Sequence, residues 1–263
     1  MVLIREFRIV NNLTVDEYHI AQLYAVAKMS LSETGGGEGV EVLKNEPYDD
    51  HNGKGQYTYK IYYLESKVPG ILRSILPASA LQIHEEAWNG YPHCKTVVTN
   101  PWMKDKFKIV TESMHLPDRG QTENAVELSP AELKIRKIDP IDITIDSGMD
   151  KSKYKKEEDP KLYSSQKTSR GPLTDPKWME TCEPVMTCYK AVTVEFIWFG
   201  LQGTVESLIH KIMRQVMVQF HRRLFTETDG WYGMTMEDLR KLEKDAAEEL
   251  LEKRKGAVDL NSE

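Results

Sequence analysis

Residues 187–225 read TCYKAVTVEFIWFGLQGTVESLIHKIMRQVMVQFHRRLF, and this stretch decides the fold. In 187–199 the apolar residues alternate. Cys188, Val192, Val194, Phe196 and Trp198 share one face, with Lys190 the lone cation among them. Period two marks a strand, because successive side chains point to opposite faces. Trp198, Phe199 and Gly200 end it at a turn. From Val205 the period changes. Val205, Leu208, Ile209, Ile212, Met213, Val216, Met217, Phe220 and Leu224 recur three and four apart, which is the stripe of a long amphipathic helix.

Working outward, more strands precede this unit and one more helix follows it. Residues 2–10 predict a strand. Thr14 to Glu17 form a capping box that starts a helix running to about Met29. A glycine-rich turn covers 32–39. Short segments of period two follow at 40–45, 56–64, 80–87, 95–100, 106–113 and 141–145, mostly separated by Gly, Pro, Asn or Asp. The stretch 146–177 is rich in Lys, Ser, Asp and Pro and predicts a long exposed loop. A last helix starts at Thr235 and runs to about Lys255, with acids in its first turn and bases near its end. The expectation is an α+β fold: a large, mostly antiparallel sheet with one early and two late helices, able to curl around a cavity.

Composition narrows the function. The 263 residues carry a net charge of −6. A surface built for nucleic acid is basic, so nucleic acid is not an expected partner. Three cysteines, Cys94, Cys182 and Cys188, contain no C-x-x-C pair, which speaks against a disulfide framework or a zinc site and for a reducing compartment. The N-terminal MVLIREFRIV has no long apolar core of a signal peptide. No run approaches the ~18 apolar residues of a membrane span. A cytoplasmic protein without a metal is expected.

Polar residues inside apolar stripes are the candidates for a site. On the last helix Met236, Leu239, Leu242, Ala246, Ala247 and Leu250 form one arc, with Glu243 near its middle. A carboxylate there needs a partner, either a structural salt bridge or a ligand. On the first helix Tyr18, Gln22, Ala25 and Met29 share a row, and Gln22 is its one amide. Lys190 is the cation of the strong strand. Thr58 and Lys60 share a face with Gln56 and Tyr62, which simple alternation assigns to solvent. Cys94, Thr96, Val98 and Asn100 share another face. Together these give basic and hydroxyl groups on an apolar frame, as one phosphate in a greasy cavity requires.

Catalytic motifs are weak. The run Gly35-Gly36-Gly37-Glu38-Gly39 lacks the Gly-Lys-Ser/Thr ending of a phosphate loop and precedes a strand, so it is a turn. There is no G-x-S-x-G elbow. His210 and His221 share a helix face but are too far apart for one metal, and no acid–base carboxylate pair stands out. No enzymatic activity is expected.

The sequence resembles the phosphatidylinositol transfer proteins, particularly the small single-domain class. The blocks that carry the resemblance are VDEYHIAQLY (15–24), GGGEGVEVLKNEPY (35–48), GKGQYTYKIYYL (53–64), EEAWNGYP (85–92), EEDPKLYSSQKTSRGPL (157–173), CYKAVTVEFIWFGLQ (188–202) and MTMEDLRKLE (234–243). They span nearly the whole chain in order.

The resemblance implies a single phospholipid-transfer domain over 1–263: a concave sheet flanked by helices, similar in shape to START-type lipid carriers, around one enclosed phospholipid. It implies that Thr58, Lys60, Asn89 and Glu243 read the inositol ring, and that Gln22, Thr96, Ser113 and Lys190 hold the phosphate. Cys94 lines the same region, at the family's thiol-sensitive position. It turns Thr58 and Lys60 inward, against simple alternation. The segment 67–78, with Lys67, Pro69, Ile71, Leu72, Ile75, Leu76 and Pro77, matches the family's lipid-exchange loop and is the expected lid. The tail 256–263 is the expected latch. Trp198 and Phe199 occupy the membrane-docking pair, with Phe in place of the second Trp. Ser113 stands where the family has threonine, and Ser169 replaces a glycine. Ser165 matches a phosphorylated serine in the 146–177 loop, which marks that loop as regulatory. The implied function is exchange of one phosphatidylinositol or phosphatidylcholine between membranes by a monomer that touches membrane surfaces transiently, with no cofactor beyond the bound lipid. The alternative is a lipid-sensing adaptor that presents phosphatidylinositol to lipid kinases.

Overall fold

The structure is a computed structural model that describes residues 3–33, 39–50, 53–63, 77–145, 154–197, 200 and 202–260, with 251–260 as helix backbone. In chain order the elements are β1 (Leu3–Asn11), α1 (Val15–Glu33), β2 (Gly39–Asp50), β3 (Gly53–Tyr63), β4 (Gln82–Gly90), β5 (His93–Thr99), β6 (Phe107–Leu116), α2 (Pro130–Ile135), β7 (Arg136–Ile141), α3 (Trp178–Thr181), β8 (Met186–Phe196), α4 (Gln202–Thr226), α5 (Thr228–Trp231) and α6 (Met236–Leu260). The strands form one sheet in the order β2-β3-β4-β5-β6-β8-β1-β7. Every pair is antiparallel except β1 with β7. The α+β expectation holds.

The capping box forms as read: Thr14 N–H donates to the Glu17 carboxylate at 2.8 Å, and Glu17 N–H to Thr14 Oγ1 at 3.1 Å. Strands β1 and β8 are buried along most of their length because both faces are covered. On one face Phe7, Ile9, Cys188, Val192 and Val194 pack with Tyr18 of α1 and Met217, Val218 and Leu224 of α4. On the other, Ile4, Tyr189 and Ala191 pack under Ala125, Val126 and Leu128. Pro47 and Pro140 lie in β2 and β7, the two edge strands, where a missing N–H costs no ladder bond.

Two expectations change. The strand expected at 141–145 is β7, and only Ile141 is common to both. Asp142 takes up the Thr144 N–H at 2.8 Å and the Trp178 indole N–H at 3.1 Å, and this side-chain turn stops the strand. The loop 146–177 has only short helical turns in its described part and is mostly exposed there, as expected; the change is that a few of its groups are tied to the rest of the fold. Arg222 meets Asp159 at 3.4 Å, Arg170 grips Glu17 at 2.9 and 2.8 Å, and Asp229 accepts from Ser165, Gln166 and Lys167. Glu158, Asp159 and Arg170 are thus ion-paired across the fold, while most other charges of the loop stay exposed. Ser169 adopts φ 57°, a left-handed conformation that favours glycine.

Candidate functional site

Helices α1, α4 and α6 and one face of the sheet enclose a cavity of about 730 Å³. Strand register organises its wall. Gln56, Asn89, Cys94, Ser113 and Lys190 lie opposite one another in a row across β3, β4, β5, β6 and β8. Two residues along, the next row is Thr58, Ala87, Thr96, Thr111 and Val192. A third is Lys60, Glu85, Val98, Ile109 and Val194. The wall thus grades from a polar row to one that is apolar over β5, β6 and β8. Helix residues Leu23, Val26, Met213, Met217, Phe220 and Leu250 complete the apolar lining.

All nine expected ring, phosphate and thiol positions line this one cavity: Gln22, Thr58, Lys60, Asn89, Cys94, Thr96, Ser113, Lys190 and Glu243. The alternation reading of Thr58 and Lys60 as solvent-facing is corrected. It is the opposite face of β3 whose tyrosines bond outer side chains, with Tyr57 O–H donating to Glu86 at 2.8 Å and Tyr63 O–H to Glu41 at 2.7 Å. A side chain at Gly55 would run into the Asn89 carbonyl, so only glycine lets β3 and β4 approach this closely beside Asn89.

Lys190 Nζ donates to Ser113 Oγ at 3.4 Å. No carboxylate among the described residues lies within 4.0 Å of it. Its charge reaches its neighbours. Burial first, and then the Lys190 ammonium, hold His115 down to about 3, so this imidazole is neutral. Burial pushes the Cys94 thiol up to about 12 against the pull of Lys190, which leaves it a neutral, apolar liner.

Glu243 forms a structural salt bridge, one of its two readings, and it also lines the cavity. Its Oε2 accepts from Arg240 at 2.6 Å and from Asn45 Nδ2 at 3.3 Å, while the residue faces the cavity. Gln56 Nε2 donates to Asn45 Oδ1 at 2.7 Å, so a polar chain links β3, β2 and α6 across the cavity. Lys60 lies 3.9 Å from Glu85, which also accepts from Tyr62 O–H at 3.2 Å. Gln22 accepts from the Tyr91 hydroxyl at 2.5 Å rather than from backbone.

Arg240, Asn45 and Glu85 line the cavity but escape the sequence reading. Arg240 stands one turn before Glu243, and that i, i+3 spacing was the available signal. Ser165 is 2% exposed, with its Oγ donating to Asp229 at 2.6 Å and accepting from Thr168 N–H at 3.0 Å. Trp198, Phe199 and the lid residues Lys67, Pro69, Ile71, Leu72, Ile75 and Leu76 lie outside the described residues. Pro77 is exposed and caps a short 3₁₀ turn, Ala78–Leu81.

Comparison with known proteins follows the same lines. The family profile described as phosphatidylinositol transfer protein matches residues 2–248. Phosphatidylinositol transfer protein 2 of Dictyostelium discoideum is 51% identical over 253 residues, 96% of this chain and 96% of that protein. The human phosphatidylinositol transfer protein beta isoform is 49% identical over 260 residues, covering 97% of this chain and 96% of that protein. Phosphatidylinositol transfer protein 5 of Dictyostelium discoideum is 45% identical over 251 residues, covering 95% and 86%.

Proposed function

The chain belongs to the phosphatidylinositol transfer protein family, and from that premise we propose that it carries one phosphatidylinositol or phosphatidylcholine molecule in the cavity and exchanges it between membranes. The observation that carries this reading is Lys190: a cation with no carboxylate within 4.0 Å among the described residues, set with Ser113, Thr96, Gln22 and Cys94 at the polar end of an apolar cavity. Lys190 is half-buried, and an ammonium facing an apolar cavity is stabilised when an opposite charge arrives with the ligand. A phosphodiester brings one negative charge together with two acyl chains, which matches the graded wall.

In this reading Lys190 pairs with the phosphate while Gln22, Thr96 and Ser113 hydrogen-bond its oxygens. Thr58, Lys60, Asn89 and Glu243 take the inositol hydroxyls. Arg240 and Asn45 hold Oε2 of Glu243, leaving Oε1 to accept from the ring. The apolar lining takes the chains. A lipid that leaves a bilayer unaided exposes both chains to water, at about 0.8 kcal/mol per CH₂ and on the order of 20 kcal/mol in total. A cavity that meets the membrane removes most of that cost, and no bond is made or broken. No described helix is long and apolar enough to span a membrane, consistent with contact at the surface rather than insertion.

The test is to incubate the purified protein with liposomes of mixed phospholipids, re-isolate it and identify what it holds by mass spectrometry. About one intact phosphatidylinositol or phosphatidylcholine per chain is expected. An empty protein or a hydrolysed lipid overturns the reading. Glu243→Gln separates the two lipids. Losing a charged acceptor for ring hydroxyls should weaken phosphatidylinositol by about 1.5–3 kcal/mol and leave phosphatidylcholine unchanged. Equal loss of both would remove Glu243 from the ring site.

A further inference from the structure

We propose that Tyr91 is a positioning residue for the lipid phosphate: it holds the Gln22 carboxamide by its oxygen and so turns the NH₂ group into the cavity. This rests on the reading above that Gln22 faces the phosphate. A side-chain amide offers an acceptor at one end and two donors at the other, and a phosphodiester accepts but does not donate. An amide facing the phosphate with its oxygen would repel it. Its orientation therefore matters as much as its presence.

The structure supplies the orienting contact. Tyr91 O–H donates to Gln22 Oε1 at 2.5 Å. Burial raises the phenol well above its ordinary value, so the hydroxyl keeps its proton at neutral pH. The ring is racked between two imidazoles, stacked on His19 at 3.9 Å and on His115 at 4.8 Å. His115 is itself fixed, with Nδ1 2.8 Å from the Pro92 carbonyl oxygen. Tyr91 thus sits in the tight connection between β4 and β5, with its hydroxyl aimed at α1 and its ring unable to swing. Gln22 is two turns into α1, and the residue lines the cavity with Thr96, Ser113 and Lys190.

A double-mutant cycle tests this. Binding of phosphatidylcholine and phosphatidylinositol, titrated from vesicles, is measured for wild type, Tyr91→Phe, Gln22→Ala and the double variant, with thermal midpoints recorded alongside. Tyr91→Phe keeps the ring stack and removes only the hydroxyl. Losing one oriented hydrogen bond should weaken both lipids alike, by about fivefold. In the Gln22→Ala background the same change should cost nothing further, because nothing remains to orient. A merely structural Tyr91 would instead give losses that multiply across the two sites, to about 25-fold. Multiplied losses, or an unchanged Tyr91→Phe beside a weakened Gln22→Ala, overturn the inference and leave the carrier reading intact. An unchanged Gln22→Ala removes Gln22 from the phosphate site, and the inference falls with it.

Discussion

Two charges one strand apart are treated in opposite ways, one fully buried and one half-buried beside a cavity. Glu6 of β1 pairs in register with Ala191 of β8, and Phe7 with Lys190, so Glu6 and Lys190 are near neighbours on opposite faces of the sheet. Glu6 is 0% exposed and fully compensated. Arg8 Nε and Arg136 Nη1 each lie 2.7 Å from its oxygens, and Glu123 closes the square at 3.6 and 3.2 Å. Two guanidinium and two carboxylate groups sum to zero. Lys190 on the other face has a hydroxyl and no carboxylate among the described residues. The difference separates a closed ion cluster, which can hold the fold, from a cation facing a cavity that, on the reading proposed above, a lipid phosphate completes.

Breaking the closed cluster should have the largest effect. Glu6→Gln leaves Arg8 and Arg136 buried with only the exposed Glu123 to answer them. We expect a loss of about 3–5 kcal/mol, read as a fall in the urea midpoint, with lipid selectivity unchanged in the folded fraction. A loss below about 1 kcal/mol would mean that the cluster is peripheral to stability.

Lys190→Met should do the reverse. Removing an uncompensated charge does not destabilise the lipid-free protein. It should weaken both lipids by about 1.5–3 kcal/mol, since both share the phosphate. If Lys190→Met instead lowers the urea midpoint as far as Glu6→Gln and leaves lipid binding intact, the contrast between the two faces is wrong.

The same contrast explains what could be read from sequence. Lys190, Gln22 and Glu243 stand out because each is polar within an apolar stripe, and a stripe has a period. The ionic locks do not stand out, because their partners are far apart in the chain. Asp159 and Arg222, or Glu17 and Arg170, acquire meaning only once the fold brings them together. Thr58 and Lys60 mislead for a related reason. Alternation assumes that a polar face meets water, and a cavity is the case where it meets a ligand. Their inward direction, and the places of Asn89 and Ser113, come from the resemblance rather than from any period. Tyr91 sits in a tight turn where no period exists. The short helix α2 is a plain omission, because its capping box at Ser129 and Glu132 stands in the sequence, and both of its bonds form, at 3.4 and 2.9 Å.

The smallest effect belongs to a group that burial, and after it Lys190, keeps neutral. His115 is 1% exposed and stacked between Tyr18 at 4.9 Å and Tyr91 at 4.8 Å. Cys188 is its register partner on β8. A carbonyl oxygen only accepts, so Nδ1, 2.8 Å from the Pro92 oxygen, carries the proton, and the bare Nε2 is buried without a partner among the described residues. Burial and then Lys190 depress the group to about 3. The unfolded chain regains the ordinary histidine value of about 6.5. Below that pH the unfolded state takes up a proton that the folded state refuses. Stability is therefore complete above about pH 6.5 and lost as the pH falls toward 3, with a slope of up to about 1.4 kcal/mol per pH unit from this residue. His19 and His210 are depressed as well, chiefly by burial, and add slopes of the same sign. The comparison must therefore be a difference. His115→Phe keeps the stack and removes the titration, so urea midpoints between pH 4.5 and 6.5 (a range chosen on the order of the window above) should fall less steeply than in wild type. Lys190→Met should also flatten the slope, by letting His115 titrate at a higher pH within the fold. Parallel slopes for all three proteins would show that His115 is not depressed in the folded state, either by burial or by Lys190.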